Sequence, residues 1–147
     1  MTTYDDQNVF AKILRGEIPC YRVYENPHTL AFLDIMPRSP GHTLVIPKAA
    51  ARGILDIPPD DLAEVARTAK KIAVAAVTAF DAEGIIIQQF SEAASGQVVF
   101  HLHMHVMPMR TGVDLLPPQT RKEDAKTLED HAARMIDALR DQSSGSD

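Results

Sequence analysis

The 147-residue chain has a single cysteine, Cys20, and no CxxC pair. One thiol closes no internal bridge, so a disulfide framework is excluded, and the expectation is a reducing, cytoplasmic setting with Cys20 as a packing residue. Positive charge is also scarce: 15 Lys and Arg against 20 Asp and Glu leave a formal net charge of −5 and a pI near 5.6. That sign is unsuited to wrapping a polyanion, which argues against nucleic acid as a partner, yet a few directed donors can still hold one phosphate. No apolar run approaches the roughly 20 residues that span a bilayer, and the first seven residues are polar and acidic, unlike a signal peptide, so no membrane partner is expected. A chain of this length is expected to form one domain over residues 1–140. Burying roughly 68–70% of its unfolded surface, it needs neither a disulfide nor a structural metal.

What is present is a run of strands around one long helix. "QNVFAKILRGEIPC" sets Val9, Phe10, Ile13 and Leu14 at helical spacing before Gly16 and Pro19, which predicts a short helix over 8–15. Strands follow at 22–25 and 29–34, joined by a turn at Asn26, Pro27 and His28, and "HTLVIPK" gives a third strand ending at Pro47. In "PPDDLAEVARTAKKIAVAAVTAF" the prolines set a start, Asp60 and Asp61 favour a helix N-terminus, and Leu62, Val65, Ala69, Ile72, Ala73 and Ala76 form an apolar stripe. "GIIIQQF" reads as a fourth strand and residues 98–107 as a fifth, separated by the loop "SEAASG". A last helix is predicted over 121–140, with Leu128, Ala132, Met135, Ile136 and Leu139 on one side, and the tail 141–147 reads as disordered. The pattern is α+β: a five-stranded, mainly antiparallel sheet with a central helix, a short N-terminal helix and a C-terminal helix.

Within the fifth strand, "GQVVFHLHMHVMPM" places His101, His103 and His105 at alternate positions. Side chains of a strand alternate faces, so the three imidazoles would share one side about 6.6–6.8 Å apart, while Leu102, Met104 and Val106 enter the core. Three readings compete. A polar edge strand without a task is the weakest, because Thr, Ser, Lys or Glu usually fill such positions. A zinc site could use two imidazoles with His42, His28 or Asp34 as further ligands. Nucleophilic catalysis would use the middle imidazole, neutral at pH 7, with the loop before the strand holding phosphate oxygens.

The order "GQVVFHLHMHVM" resembles the signature of the histidine triad, or HIT, family: His, apolar, His, apolar, His and two apolar residues after a Gly-Gln pair. "FAKILRGEIP" and "LAFLDIMPRSPGHTLVIPK" are similar to the family's opening helix and middle strands, so the resemblance covers about residues 9–108. It is strongest to the histidine triad nucleotide-binding proteins. It implies the HIT-like fold, a homodimer, and a nucleotide hydrolase or transferase that acts on phosphoramidates, adenylates or dinucleoside polyphosphates of a purine nucleotide such as AMP. No cofactor or metal is required.

The resemblance makes His103 the nucleophile, with His101, His105 and His42 as catalytic partners, His42 through a hydrogen bond to a triad imidazole. Phosphate would be held by Gln97 and His105 with the Ser95, Gly96 and Val98 backbone, ribose by Asp34, and the base by Phe10, Ile13, Ile18, Phe32, Ile35 and Leu44. Two departures stand out: Phe90 replaces an asparagine and Val98 a serine or threonine of many relatives, removing two polar groups that would serve phosphate or leaving group. Asn8 and Ala11 replace a CxxC that some bacterial relatives carry, so their structural zinc is not expected. A nucleotide-binding regulatory module with little turnover and a metal-binding histidine strand are the rival readings.

Overall fold

The computed structural model of the protein describes residues 3–119 and 121–145. A short helix α1 (Val9–Leu14) precedes strands β1 (Arg22–Glu25), β2 (Thr29–Leu33) and β3 (Thr43–Pro47). The long helix α2 (Pro59–Phe80), β4 (Gly84–Gln88), a single 3-10 turn (Ala93–Ser95), β5 (Met104–Met109) and α3 (Ala125–Gly145) complete the chain. The five strands form one antiparallel sheet in the order β1-β2-β3-β5-β4.

Local chemistry sets the helix bounds. Asn8 is the N-cap of α1: its Oδ1 accepts the Ala11 N–H at 2.9 Å, so the helix begins one residue later than the apolar spacing suggests. Pro58 and Pro59 start α2, Asp60 and Asp61 occupy its first turn, and Asp81, in the left-handed region, ends it. Asp124 caps α3 by accepting the Lys126 and Thr127 N–H groups, so this helix begins at Ala125, not at 121. It also continues to Gly145, through most of the tail expected to be unstructured; Ser146 and Asp147 lie outside the described residues.

The sheet has two unlike faces. Ala31, Leu33, Val45 and Val106 turn toward α2, whose Val65, Ala69, Ile72 and Ala76 are buried against them, and α3 packs on α2 through Leu128, Met135 and Leu139. The C-terminal helix therefore belongs to the main core. On the opposite face Leu30, Phe32, Leu44 and Ile46 cluster with Phe10 of α1, with Ile13, Leu14, Cys20 and Val99 packed against them. The small α1 leaves much of that face open, and the site lies there.

The fifth strand corrects the sequence expectation. It spans Met104–Met109, so His101 and His103 precede it in irregular backbone. The ladder to β3 begins only at Val45↔Met104, and the Leu102 N–H bonds instead to the Ala51 carbonyl at 2.9 Å. Pro108, expected to end the strand, lies within it, beyond Val106, the last residue paired with β3.

The turn from β2 to β3 is held against the end of α2 by Gly41. Its φ is +86°, and a Cβ there would lie 2.5 Å from the Phe80 ring. Gly41→Ala combines an unfavourable left-handed backbone with overpacking, and should cost about 2–4 kcal/mol in urea unfolding. A loss below about 0.5 kcal/mol would show that the turn is free to move away from α2.

Candidate active site

Register builds the floor of the site. Phe32 pairs with Leu44, Leu44 with His105, and His105 with Gln88, so these four side chains form a row across the open face of the sheet. Above the row lies a cavity of about 410 Å³. Its apolar wall holds all six residues expected to receive a base: Phe10, Ile13, Ile18, Phe32, Ile35 and Leu44. Asp34, His42, His103, His105, Gly96, Gln97 and Val98 also line it. Ser95 does not: its hydroxyl turns back to the Ser91 and Glu92 carbonyls.

The three histidines do not repeat along a flat strand. His101 is fully buried beneath the cavity, its ring held between the Pro47 carbonyl (2.8 Å from Nε2) and the Tyr4 hydroxyl (2.7 Å from Nδ1). His103 turns its Nδ1 onto the His101 carbonyl at 2.7 Å. This local fold brings the His103 and His105 ring centroids to 5.0 Å, closer than strand alternation predicts.

Backbone groups with only one possible polarity fix where every ring proton sits. The His101 carbonyl can only accept, so His103 carries its proton on Nδ1, and Nε2 keeps a lone pair. The Arg38 N–H can only donate, and it meets His42 Nδ1 at 3.0 Å, so the His42 proton is on Nε2. That Nε2–H reaches His105 Nδ1 at 2.9 Å, which puts the His105 proton on Nε2. The Pro47 carbonyl likewise assigns the His101 proton to Nε2, so Tyr4 donates to His101 Nδ1. The cavity wall thus carries an acceptor nitrogen on His103 and a donor nitrogen on His105.

Burial keeps this set neutral. Desolvation lowers His103 below the ordinary imidazole value and lowers His101 and His105 to about 4. His42, facing also His105 and Arg38, falls to about 3. Burial raises the Asp34 carboxyl, whose Oδ1 accepts the Met36 N–H at 2.8 Å and whose Oδ2 lies 3.6 Å from His42 Nε2. Asp34, His42 and His105 offer ligand atoms within 4.8 Å of one another. Their hydrogen bonds disfavour a metal there, because a metal on His42 Nε2 would drive the ring proton onto Nδ1, against the Arg38 N–H. The positions that hold a CxxC in some relatives are joined instead by the Asn8 cap.

The loop corrects the expected phosphate grip. Gln97 is 4% exposed and its amide is fully used: Oε1 accepts the Glu92 N–H at 2.6 Å, and Nε2 donates to the Arg52 and Val99 carbonyls at 2.7 and 3.0 Å. Gln97 is a staple for the loop, not a free donor. The Ser95, Gly96 and Gln97 N–H groups close the 3-10 turn onto Glu92 and Ala93. Of these four loop amides, only that of Val98 has no partner among the described residues.

Sequence reasoning missed four participants. Gln88 was hidden because its place beside His105 depends on a register set across a long loop. Tyr4 lies in an aperiodic segment, and Arg38 acts through its main chain, for which residue type is no guide. Phe90, read only as a missing amide, packs edge-on to His105 with ring centroids 5.6 Å apart.

Comparison with known proteins places this geometry. Residues 15–112 match the HIT domain. An adenylylsulfatase of Arabidopsis thaliana is 32% identical over 95% of this chain and 71% of its own length. A Hit-like protein of Bartonella henselae, described as involved in cell-cycle regulation, superposes with a TM-score of 0.90 at 46% identity, covering 93% of this chain and 99% of that one. A hypothetical histidine triad nucleotide-binding protein of Sulfolobus tokodaii gives a TM-score of 0.84 at 30% identity, covering 91% and 93%.

The depressed histidines make stability depend on pH with a definite sign. In the unfolded chain imidazoles take up protons near pH 6.5, whereas the folded rings resist until about pH 4. Acid therefore favours the unfolded state: stability is full above about pH 7 and falls between about pH 6.5 and 4, by up to about 1.4 kcal/mol per pH unit for each such histidine. Urea unfolding across this range should show that slope, shallower in His42→Gln. A flat profile would mean that the rings are not held neutral by the fold.

Proposed function

The chain belongs to the HIT family, and we propose that it is a nucleotide-binding hydrolase or transferase that attacks the α-phosphorus of a purine nucleotide conjugate through His103. The observation that carries this reading is the His103 ring at the cavity wall, its Nδ1 proton given to the His101 carbonyl and its Nε2 lone pair unused.

In the first step His103 Nε2 forms a bond to phosphorus while the bond to the leaving group breaks, the leaving group taking the electron pair. The ring becomes cationic, and the His101 carbonyl stabilises it through the Nδ1 proton. The His105 Nε2–H and the unpartnered Val98 N–H are the donors for non-bridging oxygens. In the second step water attacks phosphorus and releases a proton to solvent, the phosphorus–nitrogen bond breaks with its electron pair returning to Nε2, and the nucleotide and the neutral ring, still protonated on Nδ1, are restored. Asp34 accepts from ribose hydroxyls, and the apolar wall from Phe10 to Leu44 encloses the base.

The leaving group follows from what the site lacks. With Val98 and Phe90 at positions where relatives offer a hydroxyl and an amide, no side chain there can protonate a departing amine. Groups that leave as stable anions, such as sulfate or the carboxylate of an adenylate, suit it better than phosphoramidates. The similarity to an adenylylsulfatase agrees with that preference.

A homodimer is part of the proposal. Among the described residues β4 is the edge strand and pairs only with β5, and Ile87 on β4 and Val74 and Val77 on α2 are exposed. Light scattering at micromolar concentration should give twice the chain mass; a monomer would remove the dimer from the account. Among the described residues no helix is long and apolar enough to cross a membrane. A cytoplasmic setting is the one we propose, in keeping with the lone thiol.

Brief incubation with adenylyl sulfate, an alkaline denaturing quench that preserves the phosphorus–nitrogen bond, and mass spectrometry above neutral pH should find adenylate on His103, and His103→Ala should lose turnover by at least about a thousandfold. An adduct elsewhere, or retained turnover, contradicts the assignment. Tight AMP binding without turnover of any conjugate would instead favour a binding module. Val98→Ser should raise cleavage of a nucleoside phosphoramidate, relative to adenylyl sulfate, by about tenfold or more; an unchanged ratio would deny that the missing hydroxyl sets the preference.

A further inference from the structure

Three restraints converge on His101, the buried first histidine of the triad, and two of them come from the main chain. Its Nε2–H goes to the Pro47 carbonyl at 2.8 Å, and the Leu102 N–H that follows it goes to the Ala51 carbonyl at 2.9 Å. The third is a side chain. The Tyr4 hydroxyl lies 2.7 Å from His101 Nδ1, and the two rings meet edge to face with centroids 5.7 Å apart. Tyr4 lies ahead of residues 15–112, which match the HIT domain, and it does not line the nucleotide cavity.

The Leu102 N–H and the His101 carbonyl belong to one planar peptide unit. Ala51 holds one end of that unit, and the other end accepts the His103 Nδ1 proton at 2.7 Å. The dipole that meets His103 is therefore aimed by whatever fixes His101. The segment that supplies Tyr4 is itself anchored: Asn8 donates through Nδ2 to the Asp5 carbonyl, and Arg15 through a guanidinium N–H to the Asp6 carbonyl, both at 2.8 Å. Two residues beyond Asn8, Phe10 packs edge-on to His103 with ring centroids 4.9 Å apart. One short stretch, residues 4–10, thus holds both rings, Tyr4 by a hydrogen bond and Phe10 by packing. His101 is fully buried, so an unpaired Nδ1 there is costly. Moving the ring proton to Nδ1 offers no escape, because it would set the Nε2 lone pair against the Pro47 carbonyl.

We propose that Tyr4 is a positioning residue for the transfer reaction: its hydroxyl fixes the His101 ring, and through the His101–Leu102 peptide it holds the carbonyl that steadies the cationic His103 ring. The proposal rests on the reading of His103 as the nucleophile. Its effect falls on the first chemical step. As Nε2 bonds to phosphorus, the contact from Nδ1–H to the carbonyl becomes charge-assisted, and an acceptor already in place costs no reorganisation. Nucleotide binding does not call on Tyr4, which lies off the cavity wall.

Tyr4→Phe keeps the ring and removes only the hydroxyl. Imidazole nitrogen NMR on the full 15N-histidine chain reads the device without turnover. The wild-type protein should show a hydrogen-bonded His101 Nδ1. In Tyr4→Phe that nitrogen should move toward the position of an unbonded one, and the His103 Nδ1–H should exchange with solvent at least about tenfold faster. With adenylyl sulfate, well below the melting temperature, kcat should fall by about tenfold or more, while AMP affinity stays within about twofold of wild type. An unbonded His101 Nδ1 in the wild type, or a lowered melting temperature with both histidine signals unmoved, would overturn the proposal. So would a loss of AMP affinity large enough to account for the lost turnover. A kcat within about twofold of wild type, with adenylate still found on His103, would remove Tyr4 from the reaction and leave the nucleophile standing. Wild-type turnover with no adenylate on His103 would instead defeat the nucleophile, and the proposal with it.

Discussion

Four imidazoles are removed from water in one small region, and each nitrogen must then find a partner of the right polarity or remain as a chemical handle. Main-chain groups make that choice, since a carbonyl can only accept and an amide N–H can only donate. The His101 carbonyl, the Arg38 N–H and the Pro47 carbonyl between them leave one tautomer for each ring. Two handles result: a lone pair on His103 and an N–H on His105, both at the cavity wall. A nucleophile and a donor for a charged oxygen are what phosphoryl transfer needs, and here they arise from backbone geometry with every ring uncharged.

The fold serves that choice through a chain of contacts. Phe80 at the end of α2 sits where a side chain on Gly41 would be, which sets the height of the β2–β3 turn. The turn is closed by the Asp34 N–H to the His42 carbonyl and by the His42 N–H to the Ser39 carbonyl. It thereby aims the Arg38 N–H at His42, and His42 in turn holds His105. On the other side of the cavity, Gln97 and the Arg52–Glu92 ion pair staple the loop that presents Val98. The rigid elements lie behind the site and the polar loops in front of it, the division of labour common to binding sites on rigid scaffolds.

Much of this was legible in the residues. The helices were marked by Asn8, Pro58, Pro59 and an apolar stripe, and strands β1 to β3 by turn formers at their ends. The apolar wall and His42 followed from the family resemblance and lie at the cavity. What stayed hidden depends on main-chain hydrogen bonding. Alternation suggested a flat strand from 98, yet the Leu102 N–H goes to Ala51 and the ladder starts at Met104. Gln97 reads as a free amide until its three bonds within the loop are seen. Tyr4 and Arg38 carry no pattern that periodicity or motif could reveal.

The proton arrangement is the centre of the account, and imidazole nitrogen NMR on the 15N-histidine protein reads it directly. Near neutral pH, His103 should be neutral with its proton on Nδ1, and His42 and His105 neutral with theirs on Nε2; His42 and His105, depressed to about 3 and about 4, should remain so to about pH 5. A cationic ring at neutral pH, or a His105 proton on Nδ1, would contradict it.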